Sequence, residues 1–344
     1  MRVYAGMDPR LDLRACVAHA QRVEGLGYDG LHVAETVHDA LSVALLCAEH
    51  TSRIRVRTSV ALAFTRSPTL LAYAAWDIAK LSGGRFELGL GTQIRQNIED
   101  RYAVPFGEDP IARLSDYVGA VRATFAAFVS GEAPSYQSEH YRVTRLQPYF
   151  NPGPDRDTAV PPIYLGGVQR RACELAGALA DGFVSHPTNS NPRYLRQVCL
   201  PALAEGARRA GRDLIRDGFE TVVGTPVITG VTVDDLLTER ERQRRLLAFL
   251  YSTPAYAPTL ELFGWGDLGP SLRDLIRRER WNELADVLSD DVLDALVPCG
   301  TFDELPGILT DRFAGLAESV VVSPPPDVSN DKAFRAVVEA LQAA

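Results

Sequence analysis

The side chains able to move protons are few. Glu35 and His38 lie in the run AETVHDAL, Asp8 follows the first apolar run, and His186 precedes Pro187. A carboxylic acid and an imidazole three residues apart suit general acid–base chemistry: imidazole titrates near neutrality, whereas a carboxyl group needs burial to do so. No paired carboxylates and no nucleophile elbow accompany them. The five cysteines, Cys16, Cys47, Cys173, Cys199 and Cys299, show no metal-ligand spacing. They read as reduced thiols of a cytoplasmic protein, and no metal site is expected.

Two glycine-bearing stretches invite a ligand. In LSGGRFELGLGTQ, Gly89 and Gly91 resemble a nucleotide loop, but position 94 is Ile where a dinucleotide fingerprint needs its third glycine. A Walker loop fails too, because no lysine follows Gly91. What remains is a short strand, Phe86 to Gly91, with Thr92, Gln93 and Asn97 waiting beyond its carboxyl end. The second stretch is Gly166-Gly167-Val168-Gln169-Arg170-Arg171. Its backbone N–H groups can meet a phosphate without Cβ obstruction, and a helix beginning near Arg171 favours the anion through its dipole. The arginines are equally readable as helix-surface charges.

Composition bounds the partners. A net charge of −8 argues against general affinity for nucleic acid or anionic membranes. Apolar runs are too short to span a bilayer, and no amino-terminal signal is visible. The expected substrate is a small molecule or a peptide-derived compound.

The elements that must position these residues alternate. Strands are expected at Arg2–Gly6, Gly30–Ala34, Ile54–Ala61, Phe86–Gly91, Pro162–Leu165, Gly182–Ser185, Thr221–Ile228 and Ser319–Ser323. Helices are expected after Asp12 and at Ala40–His50, Thr69–Leu81, Ile111–Val129, Arg171–Ala180, Pro192–Ala210 and Asp331–Ala343. Strand and helix alternating eight times predict an α/β fold, a single (β/α)8 TIM barrel, with an open doubly wound sheet as runner-up. Residues 94–161 read as an insertion after strand four. Residues 231–297 read as a helical insertion before strand eight, with helices at Glu239–Leu250 and Leu272–Leu296. The aromatic run STPAYAPTLELFGWGD within it suits packing of that cap better than ligand contact. A barrel places its chemistry at the carboxyl ends of its strands, where every candidate above falls.

The run RTSVALAFTRSPTLLAYAAWDIAKLSGGRFELGLGTQ, followed by PPIYLGGVQRRACELAGALADGFV, resembles the bacterial-luciferase-like superfamily of flavin and deazaflavin enzymes. Within it the chain is most similar to the coenzyme F420-dependent oxidoreductases. The resemblance implies a luciferase-like TIM barrel with the cofactor at its carboxyl face. Ser59 and Val60 match the position of a bulge behind the cofactor ring, which several members form with a cis peptide; the sequence leaves the isomer open. Gln93 and Asn97 become polar contacts to the cofactor, although Asn97 suits helix capping equally. Gly166, Gly167, Val168, Gln169 and Arg170 become the seat of its phosphodiester. Glu35 and His38 become the catalytic pair, with His38 the proton donor and Glu35 orienting it or the substrate; Asp8 and His186 become substrate contacts. The Glu35–His38 spacing departs from the acid–histidine pair of the sugar-phosphate dehydrogenases, which argues against a sugar phosphate. The implied activity is hydride transfer from reduced F420 to an activated C=C or C=N bond. An FMN-dependent monooxygenase and a non-catalytic F420-binding protein are the alternatives. The resemblance also implies a homodimer, with the helices Ala40–Ala48 and Leu70–Ala79 as its interface, although core burial alone explains these helices equally well.

Overall fold

A computed structural model describes all of residues 1–344. Eight parallel strands close into a barrel: β1 (Arg2–Gly6), β2 (Gly30–Val33), β3 (Arg55–Thr58), β4 (Phe86–Gly91), β5 (Ile163–Gly167), β6 (Gly182–Ser185), β7 (Glu220–Gly224) and β8 (Ser319–Val321). Each pairs with the next, and β8 closes on β1 with Val320 opposite Val3. The open-sheet alternative is therefore excluded.

The helices form an outer layer that starts where the sequence provides caps. Asp12, Asp39, Ser67 and Asp109 each accept backbone N–H bonds at the start of α1 (Leu13–Gly25), α2 (Ala40–Glu49), α3 (Pro68–Leu81) and α4 (Pro110–Ser130). Helix α5 (Arg170–Leu179) has no such side-chain cap. The continuous core between barrel and helices includes Val3, Val56, Leu88, Leu165 and Phe183 on the strands and Ala44, Trp76, Phe125 and Phe313 on the helices. No helix is long and apolar enough to cross a membrane.

Three expected boundaries shift for local reasons. Strand three does not run unbroken to Ala61: the chain leaves the ladder after Thr58, and Ala61–Leu62 rejoins the sheet against Leu90 and Gly91. Strand seven ends at Gly224, because Pro226 cannot donate to a ladder. Ile228–Gly230 instead pairs with Cys299–Thr301 outside the barrel. The helix expected over Leu272–Leu296 is broken, with helices at Leu268–Arg277 and Asp290–Leu296 and a left-handed Glu279 (φ 57°) between them.

Residues 94–161 contain α4 together with a small hairpin, Tyr136–Gln137 against Arg142–Val143. Between β7 and β8 the helix Val233–Tyr251 and its neighbours pack a second core around Leu247, Tyr251, Leu260, Leu272 and Leu293.

Candidate functional site

Strand side chains alternate between faces, so every second residue of each strand enters the barrel. Lower in the barrel these positions are charged and aromatic. Arg57 has no exposed surface and lies between the rings of Tyr164 (3.6 Å to the centroid) and Tyr4 (4.6 Å). Its guanidinium binds Glu87 at 2.6 Å and Glu220 at 3.0 Å and donates to His32 Nε2 at 3.3 Å. The Tyr164 hydroxyl donates to Glu220 at 2.5 Å. Arg57 and the hydrogen bonds of Ser319 and Tyr164 hold the Glu220 carboxyl below the usual range despite its burial. His32 is held neutral by burial and by the facing guanidinium. This network plugs the barrel from below, so a ligand can enter only at the carboxyl end.

The last inward position of each strand, continuing the alternation where needed, reads Gly6, Ala34, Ser59, Gly91, Gly166, His186, Gly224 and Ser323. All are Gly, Ala or Ser except His186. All but Gly91 keep accessible surface. The barrel mouth is therefore hollow because its residues are small.

One wall of this hollow is Val60, and Gly91 of LSGGRFELGLGTQ, with Gly166 on the next strand, leaves room for it. A Cβ on Gly91 would lie 2.6 Å from Val60 Cγ2, and one on Gly166 would lie 2.9 Å from Val60 Cγ1. A Cβ on Gly89 would strike the Thr58 carbonyl at 1.9 Å. The Ser59–Val60 peptide bond is cis, the isomer the sequence left open. At the end of β4 Gln93 adopts φ 61°, rare for a residue with a Cβ, and its side-chain oxygen accepts the N–H of Ile94 at 3.0 Å. Asn97 opens a π-helical turn, Asn97–Arg101, on the same rim.

Glu35 is not coupled to His38. One residue past the inward Ala34, it turns away from the axis and is clamped by Arg66, at 2.5 Å and 2.8 Å to its two oxygens, while also accepting the Leu62 N–H at 2.7 Å. Arg66 also binds Asp39. His38 is held elsewhere: Nε2 donates to the Leu11 carbonyl at 3.0 Å, leaving Nδ1 without a partner. Both residues nevertheless line one cleft of about 350 Å³, with Thr36, Thr65, Arg66 and Tyr102. Asp8 lies exposed beyond β1 and accepts the Arg10 N–H at 2.9 Å.

At the expected anion seat, Gly167 leads into the uncapped start of α5, with Val168 and Gln169 accessible. Asn189 Nδ2 donates to the Gly167 carbonyl at 3.0 Å and the Tyr194 hydroxyl to that of Val168 at 3.1 Å, fixing the loop. The arginines are not free charges. Arg170 pairs with Glu174 one turn along at 2.9 Å, and Arg171 reaches Asp109 at 2.6 Å. The backbone of this seat is thus available to an anion, whereas Arg170 is already neutralised by its own helix.

His186 enters the mouth from β6. Its ring stacks on Tyr256, centroids 4.4 Å apart and planes 19° from parallel. Burial pushes its pKa down to about 4. The sequence reading missed Arg66 and the seat of Val60 between Gly91 and Gly166, which depend on contacts between strands. Inward-facing Arg57 was signalled by the alternation in IRVRTS, but its acidic partners lie 30 and 163 residues away.

The comparisons with known proteins concern the whole chain rather than these residues. Over 92% of its length the chain is 38% identical to an uncharacterised protein of Mycobacterium tuberculosis, covering 91% of that protein. It is 24% identical to the 5,10-methylenetetrahydromethanopterin reductase of Methanolobus tindarius, over 93% of the chain and 94% of the relative. The structure of the coenzyme F420-dependent tetrahydromethanopterin reductase from Methanopyrus kandleri superposes with a TM-score of 0.82 at 19% identity, over 99% of this chain and 98% of that one. The profile of the luciferase-like monooxygenase family matches residues 2–321, and the chain belongs to that family of oxidoreductases.

Proposed function

We propose that the protein is an F420-dependent reductase that delivers hydride to an activated C=C or C=N bond of an organic substrate. The observation that carries this reading is the hollow mouth: small residues at the ends of the strands, a Val60 wall, and an open backbone at Gly166–Gln169. A bound F420 would supply hydride from its ring carbon. Ser59 and Val60 would hold its ring, Gln93 and Asn97 its polar edge, and the N–H groups at the start of α5 its phosphodiester. Arg170, paired with Glu174, would flank the tail without supplying a free charge to it. Full-length similarity to reductases, one of them named for F420, supports this cofactor over FMN.

His38 is the proton donor of this reading. With Nε2–H fixed on Leu11, the protonated ring would release its proton from Nδ1 into the cleft. Glu35 and Arg66 act on the substrate side only indirectly, by fixing the turn that carries Val60. Asp8, on the rim, would meet the distal part of the substrate. Pairing into homodimers belongs to the same proposal: Leu45 on α2 and Leu70 on α3 remain 41% and 66% exposed, and light scattering would give the mass.

Titration of the protein with F420 and with FMN, followed by tryptophan fluorescence, tests the cofactor. Saturable quenching by F420 at micromolar concentrations is expected. Tight FMN binding without a response to F420 would reject it, and substrate-dependent oxygen uptake with reduced FMN, above the autoxidation of the free flavin, would point to a monooxygenase, the reading the family's description favours.

A further inference from the structure

His186 is the one large side chain among the last inward positions of the barrel, and its chemistry is settled by its neighbours. Nδ1 faces the Thr188 hydroxyl at 2.8 Å and the Thr188 backbone N–H at 3.3 Å. A backbone N–H can only donate, so Nδ1 is an acceptor and the proton of the neutral ring sits on Nε2. Nε2 makes no hydrogen bond within the protein, and the residue keeps accessible surface. The loop behind it is braced by hydrogen bonds: the His186 N–H donates to Asn189 Oδ1 at 2.7 Å, and the Tyr251 hydroxyl to the Thr188 carbonyl at 3.0 Å.

One face of the imidazole is covered by Tyr256, which comes from the segment between β7 and β8 rather than from a barrel strand. Tyr256 is itself only half-buried. It belongs to the aromatic run that packing of the cap was expected to explain, and it does pack against the cap's core while its ring also stacks on His186.

We propose that His186 and Tyr256 form a substrate subsite for a planar conjugated carbonyl compound, whose oxygen accepts a hydrogen bond from His186 Nε2–H and whose flat body lies beside the Tyr256 ring. A neutral imidazole donor suits a neutral carbonyl: it polarises the C=O bond without delivering a proton. An unpaired donor N–H is also a selective one, because a ligand lacking the oxygen would leave it unsatisfied. The proposal deepens the reductase reading by naming the activating group as a carbonyl conjugated to the reducible bond. A carbonyl of the cofactor ring shares this chemistry. His186 on β6 is paired with β5, which leads into the tail's seat, but lies three strands from Ser59 on β3, where the ring would lie; Tyr256, on an element outside the barrel, assigns the pair to the substrate.

The test uses the whole protein with 15N-labelled histidine and 2-cyclohexenone as the probe, with cyclohexene as the carbonyl-free control; it needs neither cofactor nor turnover. The His186 resonances, assigned by their loss in His186→Gln, should report a neutral ring protonated at Nε2 at pH 7. Cyclohexenone should shift the Nε2–H signal saturably and cyclohexene should not. In His186→Leu and Tyr256→Leu the cyclohexenone affinity should fall, roughly tenfold for the histidine variant, with partial retention in His186→Gln, which keeps an N–H donor. F420 and FMN affinities should stay within about twofold of the parent, as expected for a residue that does not contact the cofactor. A ring protonated at Nδ1, or an Nε2–H signal indifferent to cyclohexenone, would overturn the subsite. Loss of cofactor affinity in His186→Leu with cyclohexenone binding intact would overturn the assignment to substrate and give the hydrogen bond to the cofactor. Should the leucine variants fail to fold, the parent's spectra and the glutamine variant still decide.

Discussion

Arg66 closes on both carboxylate oxygens of Glu35, a two-pronged ion pair that also gathers the Leu62 N–H onto the same carboxylate. Glu35 is only 7% exposed at its side chain, so the pair is a structural clamp on the chain between β3 and α3. Glu35→Gln keeps the shape but loses the charge-assisted bonds. We expect a loss of stability of roughly 1–3 kcal/mol, read by denaturant unfolding, because a half-buried Arg66 loses its best partner. Arg66→Ala should cost a similar amount, and the double variant should cost much less than the sum. Additive losses would show that the two side chains do not act as one unit.

Val60 and Gly91 form a second such relationship, here steric. Gly91→Ala puts a Cβ 2.6 Å from Val60 Cγ2, closer than such carbons approach, so the wall of the mouth must move. Overpacking of this kind costs about 1–3 kcal/mol. Adding Val60→Ala removes the clashing methyl groups and should restore most of the stability. Cofactor affinity should not recover with it, since the wall against the ring is then missing. Recovery of both would mean that Val60 does not shape the ligand site.

The barrel itself was legible because buried parallel strands read as short β-branched runs between amphipathic helices, and Gly30 to Val33 or Gly182 to Ser185 need nothing else to be found. Helix Leu305–Phe313 received no expectation: Pro306 and Gly307 look like breakers, although proline is tolerated in a first turn. The break at Glu279 was hidden because RRERWN carries neither proline nor glycine. At the site, positions were readable and orientations were not. Glu35 and His38 fall just past β2 as expected, but which side of the strand Glu35 faces follows from the inward Ala34. Its partner Arg66 lies beyond the next strand.

Arg57 offers a test of what holds the barrel's lower half. With no exposure and two carboxylates against it, its removal leaves Glu87 and Glu220 buried without their shared cation. Arg57→Met should cost about 3–5 kcal/mol or prevent folding. Combining it with Glu87→Gln and Glu220→Gln, which removes the orphaned charges, should recover part of that loss. If the single variant were as stable as the parent, the network would contribute nothing to the closed barrel.

The pH dependence of stability isolates His186. In the folded protein burial holds its pKa down at about 4, whereas the unfolded chain takes up the proton near the ordinary histidine value of about 6.5. Between these values the unfolded state binds more protons, so stability contributed by the neutral ring is complete above about pH 6.5 and is lost as the pH falls towards 4. The span corresponds to at most about 3.5 kcal/mol. His32 and His19 are also pushed down by burial, so the parent's curve contains all three groups. The difference between parent and His186→Gln removes the His32 and His19 contributions and should steepen only in that window. Denaturant midpoints measured at half-unit steps from pH 7.5 to 4.5 would trace it. Parallel curves across the window would mean that His186 protonates freely in the folded state, and the neutral Nε2–H donor at the barrel mouth would then be a cation at mildly acidic pH.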